Sequence, residues 1–258
     1  MPRRAREVLR TSFFHVMVQG VNKEFIFKQD KYKQKYLKFL KLAKEKHEID
    51  IIAYAIMNNH THLLLHTNKL TELSEFMKKV NEDYGRYYNY VEDRIGHVFR
   101  DRYLSEPITN QKYLLSCMAY IHNNPVKANI VDKCENYKYS SYLDYLNMSG
   151  FIDKKIFKLV FGNELLSIEE FEIIHKKKTF YFADCDNTLE QIMNDIIKEL
   201  EVRYRCKIEK IKNNPKVLKD IVIEIKERTR ISNSNMARYL KISRNKISKI
   251  LSDYKLEE

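Results

Sequence analysis

The sequence predicts an α+β protein: an antiparallel sheet sandwich of the ferredoxin or RRM-like type, followed by an all-α helix-turn-helix domain. Three observations carry this reading. Between Ser12 and about Ser149, strand-like and helix-like segments follow one another in the order β-α-β-β-α-β-α, an order that an antiparallel sheet layered with helices satisfies. After Gly150 the strand pattern fades, and from Leu189 onward the apolar periodicity is helical. Five Gly and four Pro in 258 residues are few for a turn-rich all-β fold.

The elements follow in order. Phe13-Phe14-His15-Val16-Met17-Val18 is aromatic and β-branched and ends at Gln19-Gly20, which reads as a strand and turn. Lys31 to Lys46 sets Tyr32, Tyr36, Phe39, Leu40 and Ala43 at helical spacing with lysines opposite. Ile49–Met57 reads as a buried strand, Asn58-Asn59 as a turn, and His60–His66 as the returning strand of a hairpin. Leu73–Val91 is helical, Val98–Leu104 reads as a further strand, and Gln111–Asn123 is a helix that Asn124-Pro125 should end. Residues 151–187 form a charged, helical connector between a first domain over 1–150 and a second over 188–258. In the second, Leu189–Glu201 and Pro215–Glu227 are helical. Asn235–Leu240, a turn at Ile242-Ser243 and Asn245–Leu251 then carry helix-turn-helix patterning through Met236, Leu240, Ile242, Ile247 and Ile250.

Composition narrows the classes of function. Lys plus Arg number 47 and Asp plus Glu 35, a net charge of +12 that favours a polyanionic partner such as nucleic acid. The longest apolar runs, Ile49–Met57 among them, are too short and too polar to span a bilayer. Pro2-Arg3-Arg4-Ala5-Arg6 leads into mixed sequence without the apolar segment of a secretory signal. Cys117, Cys134, Cys185 and Cys206 lack metal-type spacing, as in a reduced protein. A cytoplasmic protein is the expectation.

The chemistry centres on His60-x-His62. On a strand, residues i and i+2 project to one face, roughly 7 Å apart along the chain, and neutral imidazoles so placed can share a divalent metal. A bare pair of this kind is also read as surface or hydrogen-bonding histidines. Here it starts the apolar run Leu63-Leu64-Leu65, which anchors it in a sheet. His66, further along the same strand face, reads as structural. In the next helix Tyr120 and Asn124 stand at i and i+4 on one face, where an amide can complete a metal site and a phenol can attack an activated phosphate. Tyrosine as plain core packing is the alternative in a chain with 18 of them. His122 points elsewhere on the helix, and Tyr113 reads as packing before it reads as a second nucleophile.

With these residues in view, the first half resembles the REP-associated tyrosine transposases, relatives of the single-tyrosine HUH transposases. The resemblance runs over roughly residues 3–145. It rests on Arg3-Arg4-Ala5-Arg6, on Phe14-His15-Val16-Met17-Val18-Gln19-Gly20-Val21-Asn22, and on Met57-Asn58-Asn59-His60-Thr61-His62-Leu63-Leu64-Leu65. Gly96-His97-Val98-Phe99-Arg100-Asp101-Arg102-Tyr103 and Tyr120-Ile121-His122-Asn123-Asn124-Pro125-Val126-Lys127-Ala128 complete it. Two departures stand out: Thr61 replaces a hydrophobic residue between the histidines, and Gln19 stands where the family has arginine.

The resemblance implies an HUH nuclease fold and a DNA transposase that nicks and rejoins single-stranded or hairpin DNA. His60, His62 and Asn124 would hold Mg²⁺ or Mn²⁺, which suits nitrogen and oxygen ligands. Tyr120 would attack phosphorus to give a 5′-phosphotyrosine and a free 3′-hydroxyl. Arg3, Arg4, Arg6, Arg100 and Arg102 would contact the DNA. The base that takes the Tyr120 proton, and whether two copies share their sites in a homodimer, stay open.

The C-terminal half is similar to the DNA-binding domain of the replication initiator DnaA, without that protein's signature loop. Lys241-Ile242-Ser243-Arg244-Asn245-Lys246 stands in its place. A duplex-contacting helix is expected there, with Arg238, Lys241, Arg244, Lys246 and Lys249 as its basic residues and Arg244, Asn245 and Ser248 as base readers. A solvated basic helix is the bland alternative. Two other functions use the same residues: a sequence-specific regulator with a catalytically inactive HUH domain, and a relaxase or rolling-circle replication initiator.

Overall fold

The computed structural model describes residues 11–147, 150–153, 167–176, 189–229 and 231–255. The chain divides into two compact units, Met1–Lys178 and Thr179–Glu258.

In the first unit the strands β1 (Phe13–Gln19), β2 (Asp50–Ile56), β3 (His60–His66) and β4 (Leu104–Ile108) form one sheet in the order β2-β3-β1-β4. Every neighbouring pair is antiparallel. Alternation along the strands gives the sheet two different faces. Phe14, Val16 and Val18 of β1 join Leu63 and Leu65 of β3 in a core with helices α1 (Asp30–Lys44) and α2 (Leu70–Val91), which contribute Tyr36, Leu40, Phe76, Met77 and Tyr84. Each such side chain, fully buried, stabilises the fold by ~1.5–3 kcal/mol. His15, Met17 and Gln19 point to the other face, in register with Leu64, His62 and His60. That face is covered by α3 (Gln111–Lys127), whose Tyr120 ring packs on His15 and His62. With both faces covered, β1 and β3 are buried almost end to end, which explains their nearly unbroken apolar sequence. Ala53 and Ala55 of β2 lie opposite Leu64 and His62, so small side chains occupy the strand positions that share the α3 face.

Two sequence expectations are corrected. The strand expected over Val98–Leu104 is displaced: β4 begins at Leu104, and the preceding segment serves as a brace. Val98 O accepts from Val21 N at 3.0 Å, and Arg100 N donates to Gln19 O at 2.9 Å. β4 is an edge strand, where Pro107 costs no ladder hydrogen bond that an interior strand would need. The helix expected to stop before Pro125 continues to Lys127, with Pro125 inside it. Proline removes its own N–H bond and crowds the carbonyl of residue i−4, a cost smallest near a helix end. It falls in the closing turn, where Ala128 N still donates to Asn124 O at 2.9 Å. At the other end Asn110 Oδ1 caps the helix by accepting from Tyr113 N at 2.8 Å. Gly20 is required by a close approach: a Cβ there would stand 2.5 Å from Glu24 O.

After α4 (Tyr142–Leu146), helix α5 (Ile168–Lys176) lies within the stretch expected to be a connector and packs against α3.

The second unit contains α6 (Leu189–Tyr204), α7 (Ile208–Ile211), α8 (Pro215–Arg228), α9 (Asn233–Leu240) and α10 (Arg244–Lys255). Ile196, Leu200, Leu218, Ile221, Ile225, Met236, Leu240 and Ile247 build its core. Asn214 caps α8 by accepting from Lys216 N and Val217 N, with Pro215 in the first turn. Ser232 caps α9 through Asn235 N. α9 stops where Lys241 turns left-handed (φ 52°, ψ 49°) and Ile242 N reaches back to Ala237 O at 3.1 Å.

Candidate active site

The hairpin β2–β3 sets His60 and His62 on the α3 face of the sheet, both buried. Their Nε2 atoms stand 3.0 Å apart. Asn59 Oδ1, at the hairpin turn, lies 2.7 Å from His60 Nδ1. An amide oxygen only accepts, so His60 Nδ1 carries the proton and Nε2 the lone pair. His62 Nδ1 stands 3.0 Å from Nε2 of His15, which is fully buried on β1, and the two rings stack at 5.2 Å. Burial lowers the pKa of His62 well below its usual value, with the charges of His60, His15 and Lys127 adding to the effect. Burial also lowers that of His15 to about 3, so both rings are neutral near pH 7.

This donor set fits a divalent cation. The two nitrogens face each other, the His62 ring is neutral, and each Nδ1 is held by a neighbouring side chain, the outer support that metal-ligating histidines use. Imidazole nitrogens ~2.1 Å from one ion stand about 3 Å apart when they meet it at a right angle.

From α3, the Tyr120 ring lies edge-on to His62 at 5.8 Å and to His15 at 6.0 Å. Asn124, one turn on and buried, donates from Nδ2 to Tyr120 O at 3.1 Å, which leaves Oδ1 as the acceptor atom of its amide. Because the helix runs through Pro125, Lys127 follows on the same side and sets Nζ 4.4 Å from the Tyr120 ring centroid. Lys127 keeps solvent access as a residue, and partial desolvation of its ammonium lowers its pKa to about 8. Tyr113 donates its hydroxyl to Glu106 Oε1 at 2.7 Å.

Sequence reasoning passed over His15, Asn59 and Lys127. Period-two alternation from Gln19 back through Met17 to His15, set against the antiparallel partner His62, is the signal that finds His15. Other expected residues stand apart from the pair. His66 Nδ1 meets Asp50 Oδ2 at 2.8 Å, and His122 is buried against His175 and Ser141. Arg100 and Arg102 are exposed, and the Arg100 backbone adjoins Gln19 at the end of β1. Arg3, Arg4 and Arg6 lie outside the described residues. In the second unit Arg238, Lys241, Arg244, Asn245, Lys246, Ser248 and Lys249 are exposed, and Ser248 Oγ accepts from Asn233 Nδ2 at 3.2 Å.

Among the described residues, one group of three His, Asp or Glu side chains brings its ligand atoms within 4.8 Å of one another: His47, Glu72 and Glu75. It can hold a divalent metal, yet Glu72 and Glu75 stand on α2, across the sheet from α3. It is separate from the histidine pair.

The first unit is therefore an α+β fold in which a buried histidine pair on an antiparallel sheet lies beneath a helix-borne tyrosine. Residues 10–124 match the family model of IS200-like transposases. Among solved structures, a REP-associated tyrosine transposase bound to a REP hairpin is similar at 16% identity, covering 57% of this chain and 86% of that one, with TM-score 0.49. A candidate transposase from Deinococcus radiodurans R1 is similar at 13% identity, covering 52% and 97%, with TM-score 0.33. Among curated proteins, none matches this chain. No helix among the described residues is long and apolar enough to cross a membrane.

Proposed function

We propose that the first unit is a metal-dependent single-strand DNA endonuclease and strand transferase of the transposase type, with Tyr120 as nucleophile. The observation that carries this is the placement of the Tyr120 ring 5.8 Å from that of His62 within one chain. His60 and His62, with Asn124, are the residues that would hold the metal. A divalent metal held there would supply Lewis-acid polarisation of a non-bridging oxygen of the scissile phosphate.

The chain's own groups supply the rest. Tyr120 Oη gives up its proton and bonds to phosphorus, the P–O3′ bond breaks, and the departing 3′ oxygen takes up a proton, so the phenol's loss and the 3′-hydroxyl's gain balance. The 5′-phosphotyrosine conserves the bond energy, so attack by another 3′-hydroxyl rejoins DNA without ATP. Lys127 brings positive charge to the phenol and to the phosphate that approaches it. Single-stranded or hairpin DNA is the substrate class, and the within-chain placement of Tyr120 supports a site that one copy completes.

The second unit is proposed as a duplex-binding helix-turn-helix module formed by α9 and α10. Arg238, Lys241, Lys246 and Lys249 would meet phosphates, and Arg244 and Asn245 base edges. The test is incubation of the protein with end-labelled single-stranded DNA flanking its own gene, with and without Mn²⁺. A Mn²⁺-dependent covalent adduct that maps to Tyr120 is the expected result. Metal-independent cleavage, or an adduct on another residue, overturns the reading.

A further inference from the structure

We propose that His15 is the positioning residue of this site: by choosing which nitrogen of His62 carries the proton, it presents His62 Nε2 to the metal. The inference rests on the metal reading of His60 and His62 above.

A neutral imidazole has one N–H and one lone pair, and the partner of one nitrogen decides the state of the other. For His60 the choice is fixed, because Asn59 Oδ1 can only accept, and Nε2 is left as the lone pair. For His62 it is not. Its Nδ1 faces His15 Nε2 at 3.0 Å, an atom able to donate or accept.

Two hydrogen-bond orders satisfy these distances. In the first, His15 Nε2–H donates to His62 Nδ1, and His62 Nε2–H donates across 3.0 Å to His60 Nε2. This order closes a chain of three imidazoles around a proton. In the second, His62 Nδ1–H donates to His15 Nε2. The lone pairs of His60 and His62 then face each other, the arrangement a cation requires. The change from first to second moves one proton from Nε2 to Nδ1 on His62 and likewise on His15, with none gained or lost.

His15 suits this role because it is fully buried and cannot exchange its partner for water. Its ring is parallel to that of His62 within 18° and edge-on to Tyr120. One side chain therefore touches both the metal-binding histidine and the nucleophile's ring.

The experiment uses the full chain and two probes. Mn²⁺ affinity is measured by the electron paramagnetic resonance of free Mn²⁺ for wild type, His15→Phe, His15→Gln, His60→Ala and His62→Ala. Phenylalanine keeps the ring and its packing without an acceptor, whereas the glutamine amide oxygen reaches about as far as Nε2 and can accept. His15→Phe is expected to weaken Mn²⁺ binding ~10–100-fold, and His15→Gln to recover most of it. Long-range ¹⁵N–¹H spectra of the wild type, before and after Zn²⁺, read the tautomers directly and need no variant to fold. His15 should pass from the Nε2–H to the Nδ1–H form on Zn²⁺ addition. Unchanged His15 resonances on Zn²⁺ addition overturn the proposal, as does wild-type Mn²⁺ affinity in His15→Phe alongside lost affinity in His60→Ala and His62→Ala. If those two alanine variants bind Mn²⁺ as the wild type does, the metal reading fails and takes this proposal with it.

Discussion

His175 Nε2 lies 2.8 Å from His122 Nδ1, which ties helix α5 to the helix that carries Tyr120. The direction of each bond is determined. His175 Nδ1–H donates to Phe171 O at 2.7 Å, so His175 Nε2 accepts from His122 Nδ1–H. His122 Nε2 then accepts from Ser141 Oγ–H at 2.7 Å.

A chain ending at residue 149 loses this acceptor and the buried Phe171 ring. An orphaned buried donor costs ~1–3 kcal/mol, and the lost burial of Phe171 ~1.5–3 kcal/mol. It also loses Asp153, whose carboxylate accepts from Ile51 N at 2.8 Å and from Lys44 Nζ at 2.7 Å. Urea unfolding should show a strongly lowered midpoint for residues 1–149 and a firm transition for residues 1–178. Equal midpoints would mean that α5 contributes nothing to the stability of the first unit.

The same pair makes stability depend on acidity. Burial lowers the pKa of His175 to about 4, and burial with the nearby His175 charge lowers that of His122 well below its usual value. Both are then neutral in the folded chain at a pH where the unfolded chain, with histidines near ~6.5, takes up protons. Stability is complete above about pH 7 and falls as the pH drops from about 6.5 towards 4. The slope is at most ~1.4 kcal/mol per pH unit for each histidine. Urea midpoints at pH 7, 6 and 5 measure it, and His175→Gln should flatten the slope.

The antiparallel α+β sheet and the meeting of His60 with His62 on one face were legible because strand alternation and the His60-x-His62 spacing are local. His15 was not, because its meaning lies in the pairing of β1 with β3, which places Met17 opposite His62 and His15 one step along the same face. Pro125 misled because a proline near a helix end resembles a proline that ends it; here tertiary packing holds the last turn. Val98–Tyr103 has strand composition, yet its backbone is used to brace the end of β1 through Gln19 and Val21. The role of residues 168–176 depends on a partner more than forty positions away, and charge and periodicity alone showed only a helix.

Removal of single reacting atoms should separate chemistry from folding. Tyr120→Phe deletes one hydroxyl from a ring packed on His15 and His62, so it should abolish the covalent adduct while the melting temperature shifts little. His60→Ala or His62→Ala should abolish cleavage as well. Asn124→Ala should move half-maximal activity to higher Mn²⁺. A persistent adduct in Tyr120→Phe would transfer the nucleophile's role to Tyr113.

Lys127 adds a signature in alkaline solution. Its ammonium, with a pKa of about 8, is charged below that value and neutral above it. If that charge assists cleavage, the rate should decline as the pH rises from about 8 to 9.5. Lys127→Ala should lose ~10²-fold, the scale of one electrostatic contact in a transition state. Lys127→Arg, charged throughout, should keep its activity at pH 9. An identical pH profile in all three would exclude Lys127 from the reaction.

The second unit should bind duplex DNA in a way that salt and substitution can dissect. Arg244, Lys246 and Lys249 are exposed on α10, and its apolar side, Ile247 above all, is committed to the core. Phosphate contacts release counterions, so affinity should fall steeply between 50 and 200 mM salt, and each lost contact should reduce the log–log slope by about 0.9. Lys249→Ala should therefore weaken binding evenly across sequences and lower that slope. Arg244 starts α10, where a recognition helix reaches base edges, and a guanidinium can pair with guanine through two bonds. Arg244→Ala should cost ~1–3 kcal/mol on the preferred sequence and much less on others, so preference relaxes. Ser248 already accepts from Asn233, and its substitution should matter less than that of Arg244. Fluorescence anisotropy with the full chain and residues 1–178, on one preferred and one scrambled duplex, decides the point. Equal affinity of the two chains for both duplexes would make the second unit something other than a DNA-binding module.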